Sequence, residues 1–89
     1  MKKKHRNIEL DHSHLCFKPC GFDKDKIQKV ELLEEEMEAI RLSDYEGLYH
    51  EECAQKMGIS RTTFSRILSK AHKKLADGLL NTKAIRITK

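Results

Sequence analysis

The stretch that most constrains this chain runs from residue 50 to residue 70 and reads HEECAQKMGISRTTFSRILSK. Apolar residues recur three and four positions apart on both sides of Gly58, which predicts two amphipathic helices. Glycine most readily takes the left-handed conformation that ends a helix, so we expect the first helix to end at Met57. Ser60 is a favourable N-cap, so the second helix should begin there. The stretch therefore predicts a helix-turn-helix unit.

The outer face of the second predicted helix carries side chains that hydrogen-bond to bases and phosphates. No acid occurs between Gly58 and Ala76, whereas five bases do. Helix pairs around a glycine turn also occur in proteins that never bind DNA, so the helix pair alone does not predict the function. The excess of basic residues on the second helix is what favours binding to double-stranded DNA. The predicted DNA-binding residues are Arg61, Thr62, Thr63, Ser65, Arg66, Ser69, Lys70 and Lys73.

These residues are predicted to contact different parts of the DNA according to their position along the helix. Arg61 and Arg66 lie near the N-terminal half, which enters the major groove in this docking mode, and we expect them to read bases. Arg66 has an alternative role as a phosphate clamp. Lys73 and Lys74 lie further along the helix and should touch phosphate at most.

Charge is distributed unevenly along the 89 residues. Residues 1–30 hold eight bases and four acids, residues 31–52 one base and nine acids, and residues 53–89 nine bases and one acid. The last part should face phosphates. The acidic part is expected to be a solvated helix face, and its alternative role is a surface for a protein partner.

The N-terminal third contains a basic arm and a cluster of metal-ligand residue types. His12, His14, Cys16 and Cys20 suit zinc, but the C-x2-C and H-x3-H spacings of structural sites are absent. We therefore favour a loop, with no metal and no cofactor. Cys53 lies on an apolar stripe and is expected in the core, and Phe17 and Phe22 are expected to pack onto it.

Two further elements are predicted around the helix pair. The spacing of Leu33, Met37 and Ile40 predicts a helix over 30–45 that closes the core. The tail AIRIT alternates apolar and polar residues, so Ala84–Thr88 should be a strand, paired with Asn7–Leu10 within one chain or across a homodimer. Leu79 is expected to extend the apolar stripe of the second helix, and Gly78 to weaken or end it. The predicted parts are a basic arm and irregular segment (1–30), a helix-turn-helix domain (31–81) and a tail (82–89).

The residues from about Phe17 to Ile87 resemble a prokaryotic family called domain of unknown function 134, and more distantly region four of sigma factors. The motifs that carry the resemblance are EAIRLSDYEGL, MGISRTTFSRIL and the closing KAIRI. The resemblance implies a helix-turn-helix DNA-binding domain and a transcriptional regulator. Three features depart from the pattern: Tyr49 stands where Ser or Thr usually caps a helix, His72 stands where arginine is common, and KKKHRN replaces a proline-containing basic segment.

The expected fold is mainly α, a three- to four-helix domain like sigma region four, with short terminal strands. The expected function is sequence-specific DNA binding in transcription regulation, and the alternative is a sigma-like protein-interaction module that binds RNA polymerase or another regulator. No nucleophile, base and orienting group can be assembled, so an enzyme is not expected. Apolar runs are too short to span a membrane, and the start lacks a secretory apolar core, so a cytoplasmic location is expected.

Overall fold

A computed structural model describes residues 15–22 and 26–88. Over these ranges the structure comprises three α-helices and a small three-stranded sheet, so the expectation of a mainly α chain holds only in part. The elements in chain order are β1 (Cys16–Phe17), β2 (Lys29–Leu33), α1 (Glu34–Ile40), a π-helical segment (Arg41–Tyr45), α2 (His50–Met57), α3 (Arg61–Leu80) and β3 (Ala84–Thr88).

The sheet is built around the C-terminal strand. β3 lies between β1, with which it pairs antiparallel, and β2, with which it pairs parallel. The predicted strand Ala84–Thr88 is confirmed. Its predicted partner Asn7–Leu10 lies outside the described residues, and the partners that the structure gives are the segments 16–17 and 29–33.

The predicted helix over 30–45 is wrong in its first turn. Val30 and Leu32 are buried on one side of β2, while Lys29 and Glu31 are exposed on the other. This two-residue alternation is typical of a strand, and pairing with β3 satisfies its backbone groups. α1 begins only at Glu34, where the pattern changes to helical spacing.

The end of the same predicted helix is also altered. From Arg41 to Tyr45 the backbone forms a π-helical turn, in which the Glu46 N–H donates to the Arg41 carbonyl oxygen at 2.8 Å. This hydrogen bond spans five residues, one more than in an α-helix. Leu42 remains buried, whereas the Tyr45 side chain is exposed.

α3 contributes buried residues to both apolar clusters of the core. Phe64 and Leu68 pack against α1, the π-helical segment and α2, while Ala71 packs against the sheet residues Leu32 and Ile87. Gly78 lies inside α3 and is buried, and a Cβ built on it would approach Ile85 Cγ1 to 2.8 Å. Glycine therefore permits close contact between α3 and β3. No helix in the described ranges is long and apolar enough to cross a membrane.

Several apolar side chains do not occupy the predicted positions. Cys53 is fully buried, as expected, but Phe17 and Phe22 are exposed and so do not pack onto the core. Phe17 lies on β1, an edge strand of only two residues. Leu79 is 76% exposed although its neighbour Gly78 is buried against β3, so the predicted extension of the apolar stripe to Leu79 is wrong.

Candidate nucleic-acid interface

The turn between α2 and α3 follows directly from Gly58 and Ser60. Gly58 has φ +71° and ψ +33°, so it takes the left-handed conformation that ends α2. The next N–H, from Ile59, donates to the Ala54 carbonyl oxygen at 3.0 Å. Ser60 Oγ then accepts a hydrogen bond from the Thr63 N–H at 3.1 Å and caps α3. Both sequence predictions are confirmed, and the turn fixes where α3 begins.

A row of exposed polar side chains runs along α3 on the side opposite its buried stripe. We call this set the outer row, and it consists of Thr62, Arg66, Ser69, Lys70 and Lys73. With about 100° of rotation per residue, their spacing places all five on one side of the helix. The row is about 16 Å long, because each residue advances the helix by about 1.5 Å. Five of the eight predicted DNA-binding residues therefore share one exposed surface.

Two other predicted residues have structural partners. The Thr63 hydroxyl accepts a hydrogen bond from Ser60 Oγ at 2.9 Å, which ties it to the helix cap. Ser65 is half-buried, with its Oγ 3.3 Å from His50 Nδ1. The His50 ring in turn lies edge-on to Phe64 with 5.2 Å between ring centroids. Ser65 thus belongs to the contact between α2 and α3.

Arg61 points in a different direction from Arg66. Five residues along a helix correspond to a rotation of about 140°, so the two guanidinium groups are not on one face. Arg61 instead lines a shallow concavity between the start of α2 and the start of α3. We call this concavity the notch, and it is lined by Ser43, Leu48, Tyr49, His50, Glu51 and Arg61.

The notch contains residues that the sequence analysis did not single out. No role is predicted for His50 from the sequence, and Ser43 falls inside the predicted helix over 30–45. They meet because the π-helical segment and the Gly58 turn bring α2 and α3 beside the end of α1. Tyr49 occupies the N-cap of α2 without a side-chain cap hydrogen bond, as its position in the sequence predicted.

Other basic side chains, on α3 and on the π-helical segment, form ion pairs within the protein. Lys74 Nζ donates to Glu36 Oε1 at 2.8 Å, and this carboxylate also accepts the Leu33 N–H. The Lys74 ammonium is therefore paired with a buried carboxylate of α1, and the expectation that it touches phosphate at most stays a prediction. Arg41 makes two hydrogen bonds with Glu38, at 3.1 and 2.8 Å.

These pairs change the interpretation of the acidic segment. Glu36 and Glu38 are each only 2% exposed, so the segment is not simply a solvated face. Buried carboxylates need such partners, because burial without one costs several kcal/mol. Charge pairing is thus part of how α1 packs against its neighbours.

Two further contacts hold the later part of α3. His72 Nε2 lies 2.6 Å from Asp44 Oδ2, which joins α3 to the π-helical segment. Asp77 accepts hydrogen bonds from Asn81 Nδ2 at 2.6 Å and Lys83 Nζ at 3.0 Å, and these bonds lower the pKa of the Asp77 carboxyl. No such partner is found for Arg66, Lys70 or Lys73 among residues 15–22 and 26–88.

The cysteines offer no metal site in the part of the chain that the structure describes. Cys16 and Cys20 are exposed, free thiols, and the other two members of the cluster, His12 and His14, lie outside the described residues. Cys53 is buried, and burial raises the pKa of its thiol above the ordinary value of 9.0. A protonated, buried thiol is a poor nucleophile, so Cys53 is a core residue.

The whole of this chain matches one family model, over residues 1–89, and the chain belongs to that family, described as "Protein of unknown function DUF134". It is 54% identical over 84 residues to a UPF0251 protein of Caldanaerobacter subterraneus and 49% identical over 83 residues to one of Pelotomaculum thermopropionicum. A third such protein, from Moorella thermoacetica, is 49% identical over 82 residues.

The matches cover most of this chain but less of its relatives. The match with the Caldanaerobacter protein covers 94% of this chain and 71% of that protein. The corresponding values are 93% and 63% for the Pelotomaculum protein and 92% and 55% for the Moorella protein. The chain thus spans a little over half to about two thirds of the length of these relatives. No solved structure matches it significantly.

Proposed function

We propose that this chain is a sequence-specific DNA-binding protein that regulates transcription. In this proposal α2, the Gly58 turn and α3 form a helix-turn-helix like that of sigma region four. α3, which begins after Ser60, lies in the major groove as the reading helix.

One observation carries the proposal: the outer row is exposed and polar, and its cations have no carboxylate partner among residues 15–22 and 26–88. Lys74, Lys83 and Arg41 each have a carboxylate within 3.1 Å, whereas Arg66, Lys70 and Lys73 have none among the described residues. A surface that holds uncompensated positive charge in a single row fits a polyanion. The opposite side of α3 packs into the apolar core, which fixes the direction in which the row faces.

The dimensions of the row fit the proposed docking. The major groove of DNA is about 12 Å wide and admits an α-helix with its side chains. Arg66 is in the N-terminal half of α3 and can make two parallel hydrogen bonds to guanine. Lys73, two turns further on, is expected to contact phosphate as a point charge. A homodimer would place two such helices on half-sites about one helical turn apart.

Electrophoretic mobility shifts on random DNA, at two salt concentrations, test DNA binding as such. We expect a shift that weakens steeply between about 50 and 200 mM salt, because cation release accompanies phosphate contact. Selection of bound fragments should then enrich a common sequence. A chain that shifts no DNA at the lower salt concentration contradicts the proposal.

Single substitutions in the outer row test the division between bases and phosphates. Arg66→Ala should cost about 1–3 kcal/mol of affinity for the selected site and relax preference at one base pair. Lys73→Ala should weaken selected and scrambled DNA equally and reduce the salt slope by about one unit.

Arg86→Ala is the matched control for these variants. Ile85 and Ile87 face α3, so the exposed side chain of Arg86 between them points away from the helix. Its loss removes the same charge without touching the outer row, so DNA affinity should be nearly unchanged. Equal losses from Arg86→Ala and Arg66→Ala would show that only net charge matters.

A second candidate function is favoured by the surface near the π-helical segment. Tyr45 is 84% exposed and lies between two exposed acids, Asp44 and Glu46. Exposed aromatic side chains are typical of protein contacts. In this alternative the chain is an interaction module for RNA polymerase or another regulator. Such a module shows no DNA shift, and Tyr45→Ala should abolish its binding to the partner.

A further inference from the structure

We propose that the notch binds one phosphodiester of the DNA backbone, and that Arg61 holds this phosphate rather than reading a base. The inference rests on the proposed DNA binding and assigns a second contact site beside the outer row. It replaces the expectation that Arg61 and Arg66 act alike. The ligand class is a phosphate diester in duplex DNA.

The lining of the notch supplies hydrogen-bond donors of several kinds. Ser43 and Tyr49 contribute hydroxyl groups, His50 an imidazole and Arg61 a guanidinium. A phosphate diester offers two anionic oxygens that accept such bonds, and a guanidinium can bind both at once. The notch lies where α3 begins, so a backbone phosphate at the groove edge would reach it when α3 is in the groove.

The orientation of Arg61 supports the same assignment. It is the first residue of α3 and is rotated by about 140° from Arg66, toward α2. Its side chain is exposed, and no carboxylate within the described ranges forms an ion pair with it. An available guanidinium beside the groove, rather than inside it, is placed for the backbone.

His50 is held in a defined orientation by its neighbours. Its Nδ1 lies within hydrogen-bond distance of Ser65 Oγ, and its ring is edge-on to Phe64. Nε2 has no hydrogen-bond partner among the described residues, and in the proposed site it is the ring nitrogen that bonds to the phosphate. The predicted site residue Ser65 therefore acts here as a positioning residue for His50.

Glu51 gives the proposal a distinctive consequence. It is the acid of the notch lining and would repel a phosphate bound there. Its neighbour Glu52 is also exposed on α2 but does not line the notch. The two residues form a matched pair, because neutralising either changes the net charge equally.

The experiment compares Glu51→Gln, Glu52→Gln and Arg61→Ala with the wild-type chain on the selected site and on scrambled DNA. Glu51→Gln should tighten both by about three- to tenfold at low salt, and Glu52→Gln by less than about twofold. Arg61→Ala should weaken both in equal proportion and lower the salt slope by about one unit. Melting temperatures close to wild type confirm that the exposed substitutions leave the fold intact.

Ethylation interference then locates the contact. With wild-type protein, ethylation of one phosphate at the edge of the site should block binding, and this interference should disappear for Arg61→Ala but persist for Arg66→Ala. Equal effects of Glu51→Gln and Glu52→Gln, or a changed base preference in Arg61→Ala, overturn the notch assignment while DNA binding stands. A wild-type chain that binds no DNA overturns the proposed function and the notch together.

Discussion

Replacing Gly78 by alanine sets two effects of opposite sign against each other. In an ordinary helix interior, Gly→Ala stabilises a protein by about 0.5–1 kcal/mol, because glycine loses more backbone freedom on folding. Here the added Cβ would lie 2.8 Å from Ile85 Cγ1 and 3.1 Å from Ile85 Cδ1. Ordinary carbon–carbon contacts are about 3.5–4.0 Å, so the groups must separate by roughly 0.7 Å or more.

The steric clash with Ile85 should outweigh the gain from the higher helix propensity of alanine. Ile85 is β-branched, so its Cγ1 has few alternative positions, and its backbone is fixed in the central strand of the sheet. Inserting a methyl group into such a site costs about 1–3 kcal/mol. We expect Gly78→Ala to destabilise the fold by about 1 kcal/mol net. For a domain of this size, that lowers the melting temperature by about 4–8 °C.

A double-mutant cycle isolates the contact. Ile85→Ala removes both Cγ1 and Cδ1, so Gly78→Ala in that background should be stabilising by about 0.5–1 kcal/mol. The coupling free energy, from chemical denaturation of the four proteins, should be about 1–3 kcal/mol. If Gly78→Ala raises the melting temperature equally in both backgrounds, close packing of α3 on β3 does not explain the glycine.

Three further substitutions or reactions probe other parts of the fold. Gly58→Val should lower the free energy of unfolding by about 1–3 kcal/mol, because φ at this position is +71°. Asparagine tolerates that conformation, so Gly58→Asn should lower the free energy by less. Equal melting temperatures of Gly58→Val and the wild type would contradict the turn assignment. Lys74→Met should lower the free energy of unfolding by about 1–3 kcal/mol, because the buried Glu36 carboxylate loses its cation. Lys73 is the exposed neighbour, so the control Lys73→Met should change the free energy of unfolding by at most about 0.5 kcal/mol. Similar values for the two variants would contradict the role of the Lys74–Glu36 pair. Iodoacetamide should modify Cys16 and Cys20 in the native chain and Cys53 only in denaturant, so equal labelling of all three thiols would show that Cys53 is accessible. Burial raises the pKa of the Cys53 thiol. The protonated thiol therefore stabilises the fold below the unfolded-state pKa, and this stabilisation is lost as pH rises through the folded-state pKa.

The parts of the fold that the sequence predicted correctly depend on local chemistry. Gly58 and Ser60 specify the end of α2 and the start of α3 through backbone conformation and one side-chain hydrogen bond. Neither requires knowledge of distant residues. The same is true of the alternation that predicted β3 and of the spacing that placed Cys53 in the core.

The parts that the sequence did not predict depend on distant partners. β2 is a strand because it pairs with β3, more than fifty residues away, and the helical spacing after Leu33 masked its own alternation. Glu36 could not be recognised as buried without Lys74, which follows it by 38 residues. The notch likewise depends on where the π-helical segment places α2 beside α3.

Along α3 the direction of each cation, rather than its position in the sequence, decides its role. Lys73 and Lys74 are adjacent and chemically identical, but they are about 100° apart around the helix. That rotation takes Lys74 to Glu36 and leaves Lys73 in the outer row with no acid partner among the described residues. Arg61 and Arg66 differ in the same way, one toward the notch and one outward. Because the core contacts of Phe64, Leu68 and Ala71 fix the rotation of α3 about its axis, the buried stripe determines which cations can meet a ligand. Packing inside the domain thus determines the pattern of charge presented outside it.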